Sequence, residues 1–144
     1  MINDVRGIAV SSETSEGVRA LDHAIDGYLC MAFDTGERLK AVYAKDAQMP
    51  MADILRGYFF MLMAVPALKV KAGKLRVGLE DRWSDMTLRE RLHADAMHAW
   101  TDGLTDQALR LWETILLEFP QDILALRLAH HGYFYSGDSQ NLRD

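Results

Sequence analysis

The chain has 144 residues, 49% hydrophobic and 26% charged, a composition that excludes disorder and fits one ordinary domain. With 16 Lys+Arg against 21 Asp+Glu, the net charge of −5 lacks the positive field that neutralises phosphates, so neither nucleic acid nor an anionic membrane is an expected partner. Cys30 is the sole cysteine, which excludes an intrachain disulfide, and the longest apolar run, Tyr58 to Val65, is far short of the roughly 20 residues a membrane helix needs. The opening residues do not resemble a secretory signal, so a cytoplasmic protein is expected.

Residues 1–11 read as a loose segment and 12–86 as irregular helical hairpins. Ser11 to Ser15 offers several N-caps, after which Val18, Leu21, Ile25, Tyr28 and Leu29 recur at helical spacing. Asp34-Thr35-Gly36 is turn chemistry, and Glu37 to Lys45 is a short second helix. Pro50 suits the first turn of a third helix that carries Ile54, Leu55, Tyr58, Phe59 and Leu62 and ends at Val65-Pro66. Leu68, Ala72, Leu75, Leu79 and Trp83 then form one stripe, a fourth helix. Thr87-Leu88-Arg89-Glu90 has the form of a capping box and starts a fifth helix, which Gly103 stops. The sixth runs through Leu104, Ala108, Leu111, Trp112, Ile115 and Leu116 to Pro120; Asp122 caps a seventh that stops near Gly137. Asp138 to Asp144 reads as the first turns of an eighth, as in a fragment of a longer chain. Strand-type alternation is absent throughout.

A shift of about 34 residues superposes Leu92 on Leu126, Trp100 on Phe134 and Gly103 on Gly137, which is the tetratricopeptide (TPR) period. Small residues let paired helices approach and a bulky aromatic fills the gap to the next pair, roles that fall to Ala96, Ala108 and Trp112, with Gly103 and Pro120 ending helices. His130 stands where the next repeat has a small residue and reads as a packed histidine bonded inside the stack. The fold class is therefore all-α: antiparallel hairpins of about seven to eight helices stacked as a TPR-like α-solenoid. Residues 87–144 form a TPR-like hairpin plus the start of a following repeat, truncated at its second helix.

A more specific likeness covers nearly the whole chain. Asp4, Gly7, Val10-Ser11-Ser12 and Leu21-Asp22-His23-Ala24-Ile25-Asp26 are followed by Thr87-Leu88-Arg89-Glu90-Arg91-Leu92-His93. Ala108, Trp112-Glu113, Ile115-Leu116, Pro120, Asp122, Leu124-Ala125-Leu126-Arg127, His130, Tyr133-Phe134-Tyr135 and Gly137 complete it. Together these residues resemble the N-terminal part of the tetratricopeptide repeat protein 38-like family, whose members are usually considerably longer. The resemblance implies an all-helical solenoid-like fold and brings no activity that attaches to particular residues. The Met-rich third helix, Met49 to Met63, departs from it.

In stacked hairpins the first helix of each pair lines the concave surface. The repeat register places Glu90, His93, Met97, Trp100 and Thr101 there from the fifth helix, and Leu124, Arg127, His131, Phe134 and Tyr135 from the seventh. Glu90, His93 and Arg127 would hold a polar group or peptide terminus, with Trp100 and Phe134 as apolar walls; the bland alternative is that they pair with one another or cover neighbouring helices. His93 and His98 lie five apart and His130 and His131 are adjacent, spacings that point ligands apart, so no metal is expected. Cys30, beside Leu29 and Phe33, reads as an inert core thiol, and Met49, Met51, Met61 and Met63 as gap-fillers. No phosphate loop or nucleophile elbow occurs, and neither a catalytic residue nor a cofactor is expected.

The leading expectation is a scaffold that binds an unknown protein or peptide through its concave surface without catalysis. Two alternatives stand beside it: a small-molecule binder or enzyme built on a His93/Arg127/Glu90 cluster, and a structural segment of a longer solenoid or homo-oligomer, packing through an exposed C-terminal helix face.

Overall fold

The computed structural model of the chain describes residues 2–135, with Phe134 and Tyr135 by backbone alone. The fold is mostly helical: among the described residues there are seven α-helices and one two-stranded ladder. The expected eighth helix and Gly137 lie outside the described residues.

The opening segment is not loose. Strands β1 (Ile2–Asn3) and β2 (Ala9–Val10) pair antiparallel, with Ile2 opposite Val10. One Asp4 carboxylate oxygen accepts from the backbone N–H of Arg6 (2.9 Å) and Ile8 (3.0 Å), and Gly7 takes the positive φ that the turn requires. Ile8 and Val10 are buried, so this short hairpin is anchored by apolar contact although it lacks the alternation that would mark it in sequence.

Helix α1 (Ser15–Leu29) is capped by Thr14, whose hydroxyl accepts from Gly17 N–H, and α2 (Thr35–Lys45) begins two residues before Glu37. Helix α3 (Pro50–Leu62) stops short of Val65, because Ala64 adopts a left-handed φ of 56° and turns the chain before α4 (Pro66–Glu80). Trp83 leaves the α4 stripe for a separate 3₁₀ turn, Trp83–Asp85. Thr87 and Glu90 form both halves of a capping box at α5 (Leu88–Thr101); Gly103, at φ 80°, ends it, and the Leu104 N–H returns to the Ala99 carbonyl at 2.8 Å. Helices α6 (Thr105–Glu118) and α7 (Ile123–Tyr135) complete the order.

Successive helices pair as α1/α2, α3/α4 and α5/α6, with α7 returning along α6. Helix α5 also packs against α3 and α4, and α1 reaches α7. Two glycines allow close approaches between these hairpins. A Cβ on Gly57 would overlap the Met97 sulfur, and one on Gly132 would lie 3.2 Å from Leu109 Cδ1 and 3.3 Å from Trp112 Cζ3. Trp112 stands between the hairpins, its ring centroid 6.1 Å from Tyr58 and 5.4 Å from Trp100; Ala96 and Ala108 are fully buried nearby. No helix of the described residues is long and apolar enough to cross a membrane.

Candidate functional site

Of the residues assigned to the face of α5, Glu90, His93 and Met97 have no exposed surface at all. The repeat register points them towards the next hairpin, but α3 and the N-terminal hairpin occupy that side. Glu90 is held by distant backbone: its Oε1 accepts from Ser11 Oγ (2.7 Å) and Thr87 N–H (2.9 Å), and its Oε2 from Ser11 N–H (3.0 Å). Met97 fills the recess that Gly57 leaves.

His93 is the middle of a buried chain. Its Nε2–H donates to Asp122 Oδ2 at 2.9 Å, and its Nδ1 lies 2.7 Å from Tyr58 Oη, which in turn accepts from Trp112 Nε1–H at 3.1 Å. Burial pushes the imidazole below its ordinary value, more than the Asp122 carboxylate raises it. The neutral imidazole carries its proton on Nε2, facing the carboxylate, and the Tyr58 hydroxyl proton lies between Nδ1 and the His93 carbonyl oxygen, 3.0 Å away. Burial would also raise Asp122, but the His93 contact and the Arg89 guanidinium, whose Nε donates at 2.8 Å, hold it well below the usual carboxylate range. Its other oxygen caps α7 by accepting from Ala125 N–H at 3.0 Å. Arg89 Nη1 has no hydrogen bond and lies 3.7 Å from Asp4 Oδ2, which fixes the N-terminal hairpin to α5 electrostatically. Tyr58 is likewise raised, chiefly by burial.

This hydroxyl–imidazole–carboxylate order has the connectivity of a proton relay. Tyr58, His93 and Asp122 are all buried, and within the core these hydrogen bonds satisfy their polar groups. Arg127 points elsewhere, and the His93/Arg127/Glu90 cluster is not assembled.

The described surface does contain a large cleft, of 660 Å³, between the C-terminal ends of α1 and α3, the start of α2, and α7. Tyr28, Met31, Phe59, Leu62 and Met63 give it apolar walls; Arg127, His130 and His131 line it from α7. The Tyr28 and Phe59 rings are tilted at 5.7 Å, and the Arg127 guanidinium lies over Tyr28 at 6.0 Å. His131 sits 5.9 Å from the half-buried Trp100 ring, and burial, with a smaller effect from the Arg127 cation, lowers its basicity. Arg127 and His131, both expected on a binding face, are thus brought together here. Thr101 is half-buried at the end of α5, Leu124 is buried, and nothing is described of the Phe134 and Tyr135 side chains.

Three other expectations are corrected. His130 is exposed at the cleft, since Gly132, two residues on, is the small residue at the α6 approach. Cys30 is exposed because α1 ends at Leu29 and Met31 adopts φ 56°, turning the chain away from the core; Phe33 is fully exposed for the same reason. Met49 and Met51 are core residues, whereas Met63 is 61% exposed on the cleft rim. Among the described residues no group of three or more His, Cys, Asp or Glu is placed to hold a metal ion.

No family model matches the chain, and no solved structure matches it.

Proposed function

We propose that the chain is a non-catalytic helical scaffold of the tetratricopeptide type, akin to the tetratricopeptide repeat protein 38-like family. Its hairpins stack in a solenoid-like array, and it binds a protein partner in the cytoplasm. Sequential pairing of the hairpins, the buried Ala96 and Ala108, and Trp112 between layers support the stacking. The partner docks at the α1/α3/α7 cleft, because the α5 part of the trough is filled from within.

The observation that carries this reading is the gathering of Arg127 and His131 at an apolar cleft whose surface continues onto exposed Met31, Phe33, Met63 and Val65. Exposed apolar surface of that kind, bordered by polar groups, is characteristic of interaction sites. A photo-crosslinking residue in place of Met63 tests it in the native host. It should trap one dominant protein, and Leu62→Asp should abolish the product while leaving helical circular dichroism unchanged. A crosslinker at Glu16, at the opposite end of α1, serves as the reference. Equal trapping from both positions would reject the cleft as the docking site.

A further inference from the structure

The cleft's lining has a charge bias that the chain as a whole does not share. Acidic residues outnumber basic ones, 21 to 16, yet among the described residues the cleft is lined by one arginine, Arg127, and by no Asp or Glu. The two carboxylates adjacent in sequence to the α2 edge, Asp34 and Glu37, are engaged by Arg38 Nε at 3.0 Å and Lys40 Nζ at 3.4 Å. Arg127 is exposed, and its guanidinium lies over the Tyr28 ring, an arrangement that aims its charge across the apolar floor.

The rim adds a second indication. Met31 occupies the left-handed position after α1, with the Ala32 N–H returning to the Gly27 carbonyl at 2.8 Å; the equivalent position after α5 carries Gly103. Glycine is the residue that relieves strain there. The methionine instead presents a flexible apolar side chain, 79% exposed, at the cleft edge, and Met63, beside the other left-handed residue, Ala64, does the same across from it.

Building on the scaffold reading above, we propose that the cleft receives an acidic amphipathic segment of the partner protein: a bulky apolar side chain seated between Tyr28, Phe59 and Leu62, with a neighbouring Asp or Glu carboxylate held at Arg127. The extent of the apolar surface favours a polypeptide over a free small acid. Exposed Phe33 and Val65 follow the lining residues Ala32 and Met63 within two positions of the chain but are not themselves part of the lining, and a ligand confined to the cleft would leave both in water.

The test uses the whole chain and fluorescence anisotropy with three short labelled peptides that present Phe and Leu in one register, flanked by Glu, by Gln or by Lys. The Glu peptide should bind about tenfold more tightly than the Gln peptide, with the Lys peptide weakest, as expected when one charge-assisted contact is gained or lost. Arg127→Gln should bring the Glu and Gln peptides to within about twofold of each other, and added salt should weaken the Glu peptide selectively. Equal binding of all three, or a Glu preference that survives Arg127→Gln, would overturn the proposal. So would decanoate displacing the Glu peptide at its own concentration, which would assign the cleft to a free apolar acid, or self-association of the chain that excludes the peptide. If peptides fail while the Met63 crosslink still traps a partner, the charge assignment is wrong and the scaffold reading stands; if both fail, both fall.

Discussion

Helices α5 and α7 carry the same pair at the same spacing, Arg89 with His93 and Arg127 with His131, and the two pairs end in opposite situations. On α5 the arginine and histidine share the Asp122 carboxylate and are sealed; on α7 they line an open cleft in which no described residue is a carboxylate. Residues four apart lie on one helical face in either case. What separates them is the neighbouring chain: Asp122 and Asp4 neutralise the first pair, and their counterparts around the second are Tyr28 and Trp100. An arginine on such a face thus indicates a site only where the fold leaves it outside a buried carboxylate pair, as it does Arg127 and not Arg89.

The comparison breaks most sharply at Asp122. Its removal leaves Arg89 charged and buried with Asp4 and Glu90 as the nearby carboxylates, strips the acceptor from His93 Nε2–H, and opens the α7 cap. Losing one partner of a buried pair costs about 3–5 kcal/mol, because the remaining charge is closed off from water and keeps only the longer 3.7 Å ion pair to Asp4. Asp122→Ala should therefore lower unfolding free energy in urea by that amount. A loss under about 1 kcal/mol would mean that the α5 pair is as well solvated as the α7 pair.

Why one pair could be misread is visible in the sequence distances involved. Helix limits rest on local chemistry, and Thr87 with Glu90, Pro50, Pro66 and Gly103 mark them within a few residues of where they fall. The covering of α5 rests on contacts between remote segments. Ser11 binds Glu90 across 79 positions, and Tyr58 binds His93 across 35. Hydrophobic periodicity carries no information about such pairings, and a repeat register assumes an open face. Gly57 shows the same limit: it is the point where Met97 enters, and no local pattern in the apolar third helix marks it. Cys30 follows the apolar stripe of α1, and only the left-handed turn at Met31 takes it out of the core. The cleft itself joins the ends of α1 and α3 to the middle of α7, so Arg127 was legible as a surface cation but Tyr28 and Phe59 as its companions were not.

Titration sharpens the contrast at a smaller scale. His93 is held below its ordinary value by burial, so as pH falls through about 6.5 the unfolded chain takes up a proton that the native state refuses, and stability declines. The slope approaches about 1.4 kcal/mol per pH unit for one such group. Asp122, held low, contributes stability that is complete above about 3.9 and is lost as acid protonates it, extending the decline. His131 is shifted in the same direction but is only half-buried, and adds less. Melting temperature should thus fall from pH 7 to pH 5 in the wild type. His93→Gln should be less stable at pH 7 and show a flatter profile over that interval, whereas His131→Gln should leave the profile nearly unchanged. Identical slopes for wild type and His93→Gln would show that the native imidazole protonates freely.

The smallest effect on stability is expected at Arg127. Its guanidinium is exposed and meets Tyr28 both over the ring, at 6.0 Å, and through the hydroxyl, contacts of modest strength when solvated. Arg127→Gln should change unfolding free energy by about 0.5 kcal/mol, the range of surface substitutions away from buried networks. Arg89→Gln, at the matching position on α5, should cost several times more, since it removes charge from Asp122 in a site closed to water. Urea melts of these two variants compare the pairs directly, one arginine against its counterpart. Comparable losses would mean that Arg127 is bound up in the fold like Arg89, leaving the cleft without the uncompensated cation on which recognition of an acidic partner depends.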